Sequence, residues 1–124
     1  MVSVVISIGS NCGDRHANVE EGLHWLKSIL MQTKCSEIYE TPCALKNGPS
    51  YMNAVITGFY EGVDYELDDR LKIKEREMGR NAQCREKGEV PIDMDIVMEN
   101  NEVVKEWDFR QKFFQIGYQA LSNL

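Results

Sequence analysis

The chain has 124 residues, of which 43% are apolar and 27% are charged. This length is typical of one domain, and the composition is not that of a disordered or fibrous protein. The 14 basic and 20 acidic residues give a net charge of −6. The length predicts a single domain over residues 1–124. Because nucleic-acid-binding proteins usually present a basic face, we predict no nucleic-acid partner. The sequence does not indicate an oligomeric state.

The N-terminal segment MVSVVISIGS has no basic residue and only a short apolar run. It is too short for a signal peptide or a membrane-spanning helix. The cysteines are scattered and form no CxxC pair, so we do not expect a zinc site. We therefore predict a cytoplasmic protein with reduced thiols and without a membrane partner.

The first half of the chain predicts a strand, a helix and a second strand. The β-branched run over residues 2–8 is typical of a buried strand, and the turn sequence GSN ends it. Asp14 can cap a helix that reaches about residue 32, with leucines and isoleucines on one face. Residues 35–40 predict the second strand. Residues 41–50, which contain two prolines and a glycine, predict a loop.

The second half begins with a strand, a helix and a polar segment. Alternating residues over 51–60 are typical of a third strand. Asp64 can cap a helix over residues 65–78, which Gly79 ends. Residues 80–89 are polar, charged and without period, so we predict a mobile loop there.

The last elements complete a split βαβ order. Residues 91–98 predict a fourth strand, and Asp108 can begin a last helix that ends near residue 121. The order β-α-β-β-α-β, followed by a helix, predicts an α+β fold with a ferredoxin-like core. In this fold a mostly antiparallel sheet has helices packed against one face.

Two acidic residues, Asp93 and Asp95, lie two positions apart in the predicted fourth strand. Residues at this spacing project from the same face of a strand, so their carboxylates are neighbours. Because like charges repel, a cation between them would stabilise the pair. Magnesium prefers one or two carboxylates together with phosphate oxygens and water. The pair therefore indicates a magnesium site for a phosphorylated ligand, or alternatively two solvated aspartates on the open face of a half-covered sheet.

Five short segments carry a resemblance to a known family. They are SIGSNCGD at 7–14, YETP at 39–42, YMNAV at 51–55, EREMGR at 75–80 and IDMDI at 92–96. In this order they resemble the segments of 6-hydroxymethyl-7,8-dihydropterin pyrophosphokinase, a family of folate synthesis. The resemblance implies that pyrophosphate is transferred from ATP to the hydroxymethyl group of a pterin, with release of AMP. It implies ATP as co-substrate and two magnesium ions (Mg²⁺) as cofactors.

The resemblance also implies candidate site residues. Asp93 and Asp95 are the implied magnesium ligands, and these two residues with Arg80 are the implied catalytic residues. The implied pterin-binding residues are Thr41, Pro42, Leu45, Tyr51, Asn53 and Phe114. The implied ATP-binding residues are Glu75, Arg80, Arg85, Ile96 and Lys112.

Three of these residues have alternative interpretations. Asn53 can contact the edge of a pterin with its amide, or it can satisfy backbone groups at a strand end. Phe114 can stack on the pterin ring, or it can belong to the apolar core. Glu75 lies among basic residues of the predicted helix and can be a solvated member of an ion pair.

The nucleotide side departs from the family pattern. The family loop ends in a WGPR-type segment, where this chain has KGEV, so Val90 stands at the position of an arginine that reaches the phosphates. A second loop arginine corresponds to Ala82. After Val104 the chain continues almost directly to Lys105, without several residues that contact ATP in the family.

Three functions remain open from the sequence. The first is an active pyrophosphokinase in which other cations supply the missing charge, namely Arg80, Arg85, Lys87, Lys105 and Lys112. The second is a catalytically weakened relative that binds a pterin as a sensor or accessory protein. The third is a ferredoxin-like interaction module without small-molecule chemistry.

Overall fold

The computed structural model describes residues 1–45 and 47–122, and residue 46 of the predicted 41–50 loop lies outside the described part. The described residues form an antiparallel six-stranded sheet with helices packed against it, which confirms the predicted α+β class. The strands are β1 (Val2–Ser10), β2 (Met31–Cys35), β3 (Tyr39–Thr41), β4 (Tyr51–Tyr60), β5 (Asp93–Glu99) and β6 (Glu102–Val103). The helices are α1 (Arg15–Ile29), α2 (Asp64–Glu77), α3 (Ala82–Lys87), α4 (Glu106–Arg110) and α5 (Lys112–Ser122). Within the described ranges, no helix has the length and apolar character needed to cross a membrane.

The sheet has the strand order β2-β4-β1-β5-β6, with β3 also paired to β4. All of these pairs are antiparallel. This order is the ferredoxin-like βαββαβ arrangement, in which α1 and α2 are the connecting helices. It places the segments around Gly9, Asn53 and Asp93 side by side, although they are far apart in the sequence.

One face of the sheet packs against α1 and α2. The side chains on this face come from even-numbered strand positions and are buried and apolar, which is the main source of stability for such a layer. They include Ile6, Ile8, Ala54, Ile56, Met94 and Ile96. Since side chains alternate along a strand, Asp93 and Asp95 point to the opposite face.

The opposite face is partly covered by α5, so helices pack on both faces and not only on the predicted one. Phe114 and Val55 lie in a second apolar cluster there. A Cβ at Gly117 would lie 2.7 Å from Val55 Cγ2 and 2.8 Å from Tyr39 Oη, so this close approach requires glycine. The Tyr39 hydroxyl donates to the Phe113 carbonyl oxygen (2.5 Å) and accepts from the Gly117 N–H (3.1 Å). These contacts fix α5 against β3 and β4.

The predicted second strand over residues 35–40 is two strands in the structure. β2 ends with Cys35 opposite Ile56, and β3 begins with Tyr39 opposite Asn53. From Cys35 to Tyr39 the chain therefore advances four residues, while its pairing partner on β4 changes by only three, from Ile56 to Asn53. The additional residue shifts the register and interrupts the pairing, as in a β-bulge.

Several helix boundaries differ from the predictions. α1 ends at Ile29 because the chain pairs with β4 from Met31 onward. α2 begins at Asp64, which is the first helical residue and not the cap. The predicted last helix is two helices, because Gln111 has an extended conformation between α4 and α5. Asp108 consequently lies inside α4.

Two short elements were not predicted. The expected mobile loop over residues 80–89 contains α3, which Asn81 caps through its side chain and which Gly88 ends with φ of 69°. β6 follows a two-residue turn with positive φ at Asn100 (48°) and Asn101 (68°). Asparagine tolerates this backbone conformation better than most residues, which explains the tight hairpin.

Candidate active site

The candidate site lies on the face of β4, β1 and β5 that carries the odd-numbered residues. Antiparallel pairing places Asn53, Gly9 and Asp93 in one cross-strand row. The next row on this face contains Ser7 and Asp95. Because side chains in such rows are direct neighbours, motifs from three separate segments meet at one place.

A cavity of about 190 Å³ lies at these rows. The expected residues that line it are Thr41, Pro42, Leu45, Tyr51, Asn53 and Asp93. Other lining residues, to which the sequence assigned no role, are Ser7, Cys43, Ala44, Trp107, Asp108 and Phe113. The structure therefore brings together five of the six residues expected on the pterin side, with one of the two aspartates.

Asn53 is buried, and three acceptors fix the orientation of its amide. Its Nδ2 donates to Thr41 Oγ1 (2.7 Å) and to the carbonyl oxygens of Tyr51 (3.2 Å) and Tyr39 (3.4 Å). Since carbonyl oxygens only accept, the amide nitrogen lies on their side and Oδ1 on the other. The oxygen faces Gly9, where an added Cβ would be 3.2 Å away. Asn53 thus satisfies backbone groups and also presents an acceptor at the cavity wall.

The structure corrects the expectation that Phe114 stacks on a ligand. Phe114 is 0% exposed and packs in the core, where its ring centroid lies 5.7 Å from that of Phe109 and 5.2 Å from that of Tyr118. The neighbouring Phe113 lines the cavity together with Trp107, at a centroid distance of 6.1 Å. Consecutive side chains on a helix point about 100° apart, so only one of the two phenylalanines reaches the cavity.

The carboxyl groups of Asp93 and Asp95 are close enough that each shifts the pKa of the other. Burial and then the charge of Asp95 raise the pKa of Asp93 to about 7. Burial also acts to raise the pKa of Asp95, but hydrogen bonds from Asp93 and Lys105 outweigh it, so this pKa lies below its usual range. The two acids therefore share one proton near neutral pH, as expected for adjacent like charges.

Three basic side chains pair with these aspartates. Arg80 Nη1 lies 2.9 Å from Asp93 Oδ1. Lys105 Nζ lies 2.7 Å from Asp95 Oδ1, and Lys72 Nζ lies 3.5 Å from the same oxygen. The side chain of Asp95 is 13% exposed and that of Asp93 is 38% exposed, so Asp95 is not a solvated carboxylate on an open surface. Neither lysine was identified from the sequence as a partner of Asp95.

Glu75 is a buried anchor and not a solvated member of an ion pair. Glu75 is 4% exposed, and its Oε2 accepts from the Met94 N–H (2.7 Å) and from Lys72 Nζ (3.3 Å). Its Oε1 accepts from Arg80 Nη1 at 3.1 Å. Glu75 therefore joins α2 to β5 and holds two of the cations next to the aspartates.

A second cavity of about 550 Å³ lies between α2 and the segment that contains α3. The expected ATP-binding residues that line it are Glu75, Arg80 and Arg85. Lys72 and Arg76 add positive charge to this cavity, whereas Ala82 and Val90 face it at the two positions without the expected arginines. The ion pair of Arg80 with Asp93 connects this cavity to the first one.

Two residues expected at ATP, Ile96 and Lys112, line neither cavity. Ile96 is 4% exposed and belongs to the core under α1 and α2, because its side chain points away from the face of Asp95. Lys112 is exposed at the start of α5 and lines neither cavity.

Asn11 fixes the segment that follows α3 to the turn after β1. Its N–H donates to the Val90 carbonyl oxygen (2.9 Å), and its Oδ1 accepts from the Val90 N–H (2.5 Å). Its Nδ2 donates to the Gly88 carbonyl oxygen at 3.0 Å. Asn11 therefore holds one wall of the second cavity through both its backbone and its side chain.

The donor set at Asp93 and Asp95 fits magnesium. Both residues offer carboxylate oxygens in neighbouring positions. The charge of Asp95 raises the pKa of Asp93, and a cation between the two carboxylates would relieve this repulsion. The described residues contain no cluster of three or more acidic, histidine or cysteine ligands. Magnesium commonly takes its remaining ligands from phosphates and water.

Known proteins resemble this chain over most of its length. A sequence model of the family described as 7,8-dihydro-6-hydroxymethylpterin-pyrophosphokinase (HPPK) matches residues 5–120. A "Folate synthesis bifunctional protein" of Arabidopsis thaliana is 38% identical over 96 residues, which cover 76% of this chain. A 2-amino-4-hydroxy-6-hydroxymethyldihydropteridine pyrophosphokinase of Aquifex aeolicus is 29% identical over 106 residues, or 85% of this chain. A protein of the same name from Porphyromonas gingivalis is 32% identical over 104 residues, or 79% of this chain.

The chain spans 20% of the length of the Arabidopsis relative, 66% of the Aquifex relative and 69% of the Porphyromonas relative. The family match over residues 5–120 includes the residues that line both cavities. The chain therefore belongs to the 7,8-dihydro-6-hydroxymethylpterin-pyrophosphokinase family.

Proposed function

We propose that this chain catalyses the magnesium-dependent transfer of pyrophosphate from ATP to the hydroxymethyl group of 6-hydroxymethyl-7,8-dihydropterin, a step of folate synthesis. The observation that carries the proposal is the position of Asp93. It lines the cavity that contains Asn53, and it pairs at 2.9 Å with Arg80 of the cavity rich in basic residues. A flat heterocycle and a triphosphate can thus meet at one carboxylate.

The first cavity suits a flat heterocycle with polar edges. Tyr51, Trp107 and Phe113 supply aromatic surface, which favours stacking on a planar ring. The oxygen of the Asn53 amide offers an acceptor to ring N–H groups, because its nitrogen is engaged by Thr41. These groups would bind the pterin and orient its hydroxymethyl arm toward Asp93.

The second cavity suits the phosphate groups of ATP. Arg80, Arg85, Arg76 and Lys72 line it and can form charge-assisted hydrogen bonds with phosphate oxygens. Arg80 lies next to Asp93 and is therefore placed to contact the group that is transferred. Buried Glu75 would position Arg80 and would not itself contact the nucleotide.

In the proposed reaction, the hydroxyl oxygen of the pterin attacks the β-phosphorus of ATP. The bond from this phosphorus to the oxygen that bridges to the α-phosphate breaks, and AMP leaves. Asp93 lines the first cavity and is placed to assist removal of the hydroxyl proton. Magnesium held by Asp93 and Asp95 would neutralise charge on the phosphate oxygens. The Arg80 guanidinium would stabilise the same charge.

The experiment is to measure AMP after incubation of the purified chain with ATP, magnesium and 6-hydroxymethyl-7,8-dihydropterin. We expect AMP in an amount equal to the ATP consumed, and none when the pterin or magnesium is omitted. Asp95→Asn should reduce the rate by at least about 100-fold, because it removes a carboxylate at the reacting phosphates. Glu77→Gln, at an exposed position of α2, is the matched control and should retain activity. Absence of pterin-dependent AMP at high protein concentration would refute the proposal.

A second candidate is a protein that binds a pterin without transferring pyrophosphate. Ala82 and Val90 favour it, because both face the second cavity without a positive charge. Calorimetry distinguishes the two functions. Pterin binding that does not depend on a non-hydrolysable ATP analogue would support the binding protein, whereas strong synergy between the two ligands would support the transferase.

A further inference from the structure

The two aspartates of the candidate site already form ion pairs with basic side chains of the same chain. Lys105 Nζ lies 2.7 Å and Lys72 Nζ lies 3.5 Å from the same oxygen, Asp95 Oδ1. Arg80 Nη1 lies 2.9 Å from Asp93 Oδ1. These basic groups occupy space in which a divalent cation would contact the two carboxylates.

The backbone holds Lys105 in this position. After β5 a two-residue turn returns the chain antiparallel to the strand. The N–H groups of Val104 and Lys105 both donate to the carbonyl oxygen of Val97, at 2.8 and 3.2 Å. Lys105 therefore lies beside β5 only two residues from Asp95, and its contact with the carboxylate follows from the hairpin.

The acidic and basic side chains at this site form one network. Its carboxylates and its cations are equal in number among the described residues, and they are joined by ion pairs of 2.7 to 3.5 Å. The members are Asp93, Asp95, Glu75, Lys72, Arg80 and Lys105. Because like charges repel strongly in a partly buried site, an ammonium group and a metal ion cannot both contact Asp95 Oδ1.

We propose that Lys105 is an internal counter-ion that competes with a divalent cation for Asp95. The proposal rests on the proposed function, which assigns magnesium to Asp93 and Asp95. In the ligand-free protein the ammonium group balances the charge of Asp95, and a divalent cation binds there only when the lysine leaves. The lysine side chain is flexible, so its displaced ammonium group can pair with a phosphate group instead.

The test is metal binding to the ligand-free chain, with Mn²⁺ followed by electron paramagnetic resonance and Mg²⁺ by calorimetry. Lys105→Met removes the ammonium group and keeps much of the side-chain volume. Lys34→Met is the matched control, because it changes the net charge equally at an exposed position of β2. β2 and β5 are three strand spacings apart in the sheet, about 14 Å, which exceeds the screening length of about 8 Å at physiological ionic strength.

We expect Lys105→Met to bind Mn²⁺ and Mg²⁺ at least about fivefold more tightly than the unmodified chain, equivalent to about 1 kcal/mol. Lys34→Met should change these affinities by less than about twofold. Equal or weaker binding by Lys105→Met would overturn the proposal. An equal gain in Lys34→Met would also overturn it, because the effect would then come from net charge alone.

A second variant, Lys105→Gln, provides an independent measurement. Saturating Mg²⁺ should raise its melting temperature more than that of the unmodified chain, since a tighter ligand stabilises the folded state more. Equal shifts in the two proteins would contradict the proposal. None of these measurements uses a pterin or ATP. Failure of the proposed function would instead appear as absence of pterin-dependent AMP.

Discussion

Asn53 on β4 and Asp93 on β5 lie in the same cross-strand row, with Gly9 of β1 between them. Two strand spacings, about 10 Å, separate their backbones. Gly9 has no side chain, so the row forms the floor of the first cavity and does not fill it. A ligand in this cavity can therefore contact an amide oxygen at one end and a carboxylate at the other.

Replacement of Gly9 by alanine should weaken pterin binding. The added Cβ would lie 3.2 Å from Asn53 Oδ1 and 3.4 Å from Tyr51 Cδ2, so both side chains would have to shift. We expect the pterin Kd, measured by calorimetry, to rise about tenfold. Gly58→Ala on the neighbouring strand β4 is the control, because its Cβ would meet Leu30 outside the cavity, at 3.1 Å. An equal loss of affinity in both variants would contradict the assignment.

Truncation of Phe113 should affect ligand binding, whereas truncation of Phe114 should affect stability. Phe113→Ala removes an aromatic wall of the cavity and should weaken pterin binding at least about fivefold with little loss of stability. Phe114→Ala removes a side chain that is 0% exposed and should lower the free energy of unfolding by about 3–5 kcal/mol. Calorimetry and urea denaturation measure the two effects. A folded Phe114→Ala protein with the greater loss of pterin binding would contradict this description.

These two phenylalanines show why part of the site was predictable and part was not. Asp93, Asp95 and Asn53 were identified because spacing along a strand determines which face a residue occupies. The choice between Phe113 and Phe114 depends on the rotation of α5, which the contacts of Tyr39 determine. Such contacts join distant parts of the chain and leave no local pattern.

The same distinction applies to the fold. β1 and β4 were predictable because their burial produces a long apolar or alternating pattern. α3 depends on one capping residue, Asn81, and β6 depends on a turn of two asparagines, so neither has a periodic signal. The approach of Lys105 to Asp95 follows from that turn and was therefore also hidden in the sequence.

Loss of the Glu75 carboxylate should destabilise the protein. Glu75→Gln weakens ion pairs with Arg80 (3.1 Å) and Lys72 (3.3 Å) and leaves two partly buried cations with less compensation. We expect the free energy of unfolding to fall by about 2–3 kcal/mol, as measured by urea denaturation. Glu77→Gln, at an exposed position of the same helix, should change it by less than about 0.5 kcal/mol. Similar values for both variants would show that Glu75 is not an anchor.

Tyr39→Phe should remove a dependence of stability on high pH. Burial, partly offset by the hydrogen bond from Gly117, raises the pKa of Tyr39 from 10.0 to about 12. The folded protein therefore holds this proton more tightly than the unfolded chain. The contribution is fully present below pH 10 and is lost as the pH rises through about 12.

Urea denaturation at increasing pH checks this prediction. The unmodified chain should lose free energy of unfolding over that range relative to Tyr39→Phe. At neutral pH the variant should be about 1 kcal/mol less stable, because the hydrogen bonds to Phe113 and Gly117 are missing. Parallel pH profiles of the two proteins would contradict the raised pKa.

The fate of the phosphates of ATP is the most direct test of pyrophosphoryl transfer at Asp93 and Asp95. The chain is incubated with magnesium, 6-hydroxymethyl-7,8-dihydropterin and ATP radiolabelled in either the γ- or the α-phosphate, and the products are separated by chromatography. We predict that the γ-label appears in a pterin diphosphate and the α-label in AMP. A γ-label found only in inorganic phosphate, or a pterin fraction without label, would contradict the proposed reaction.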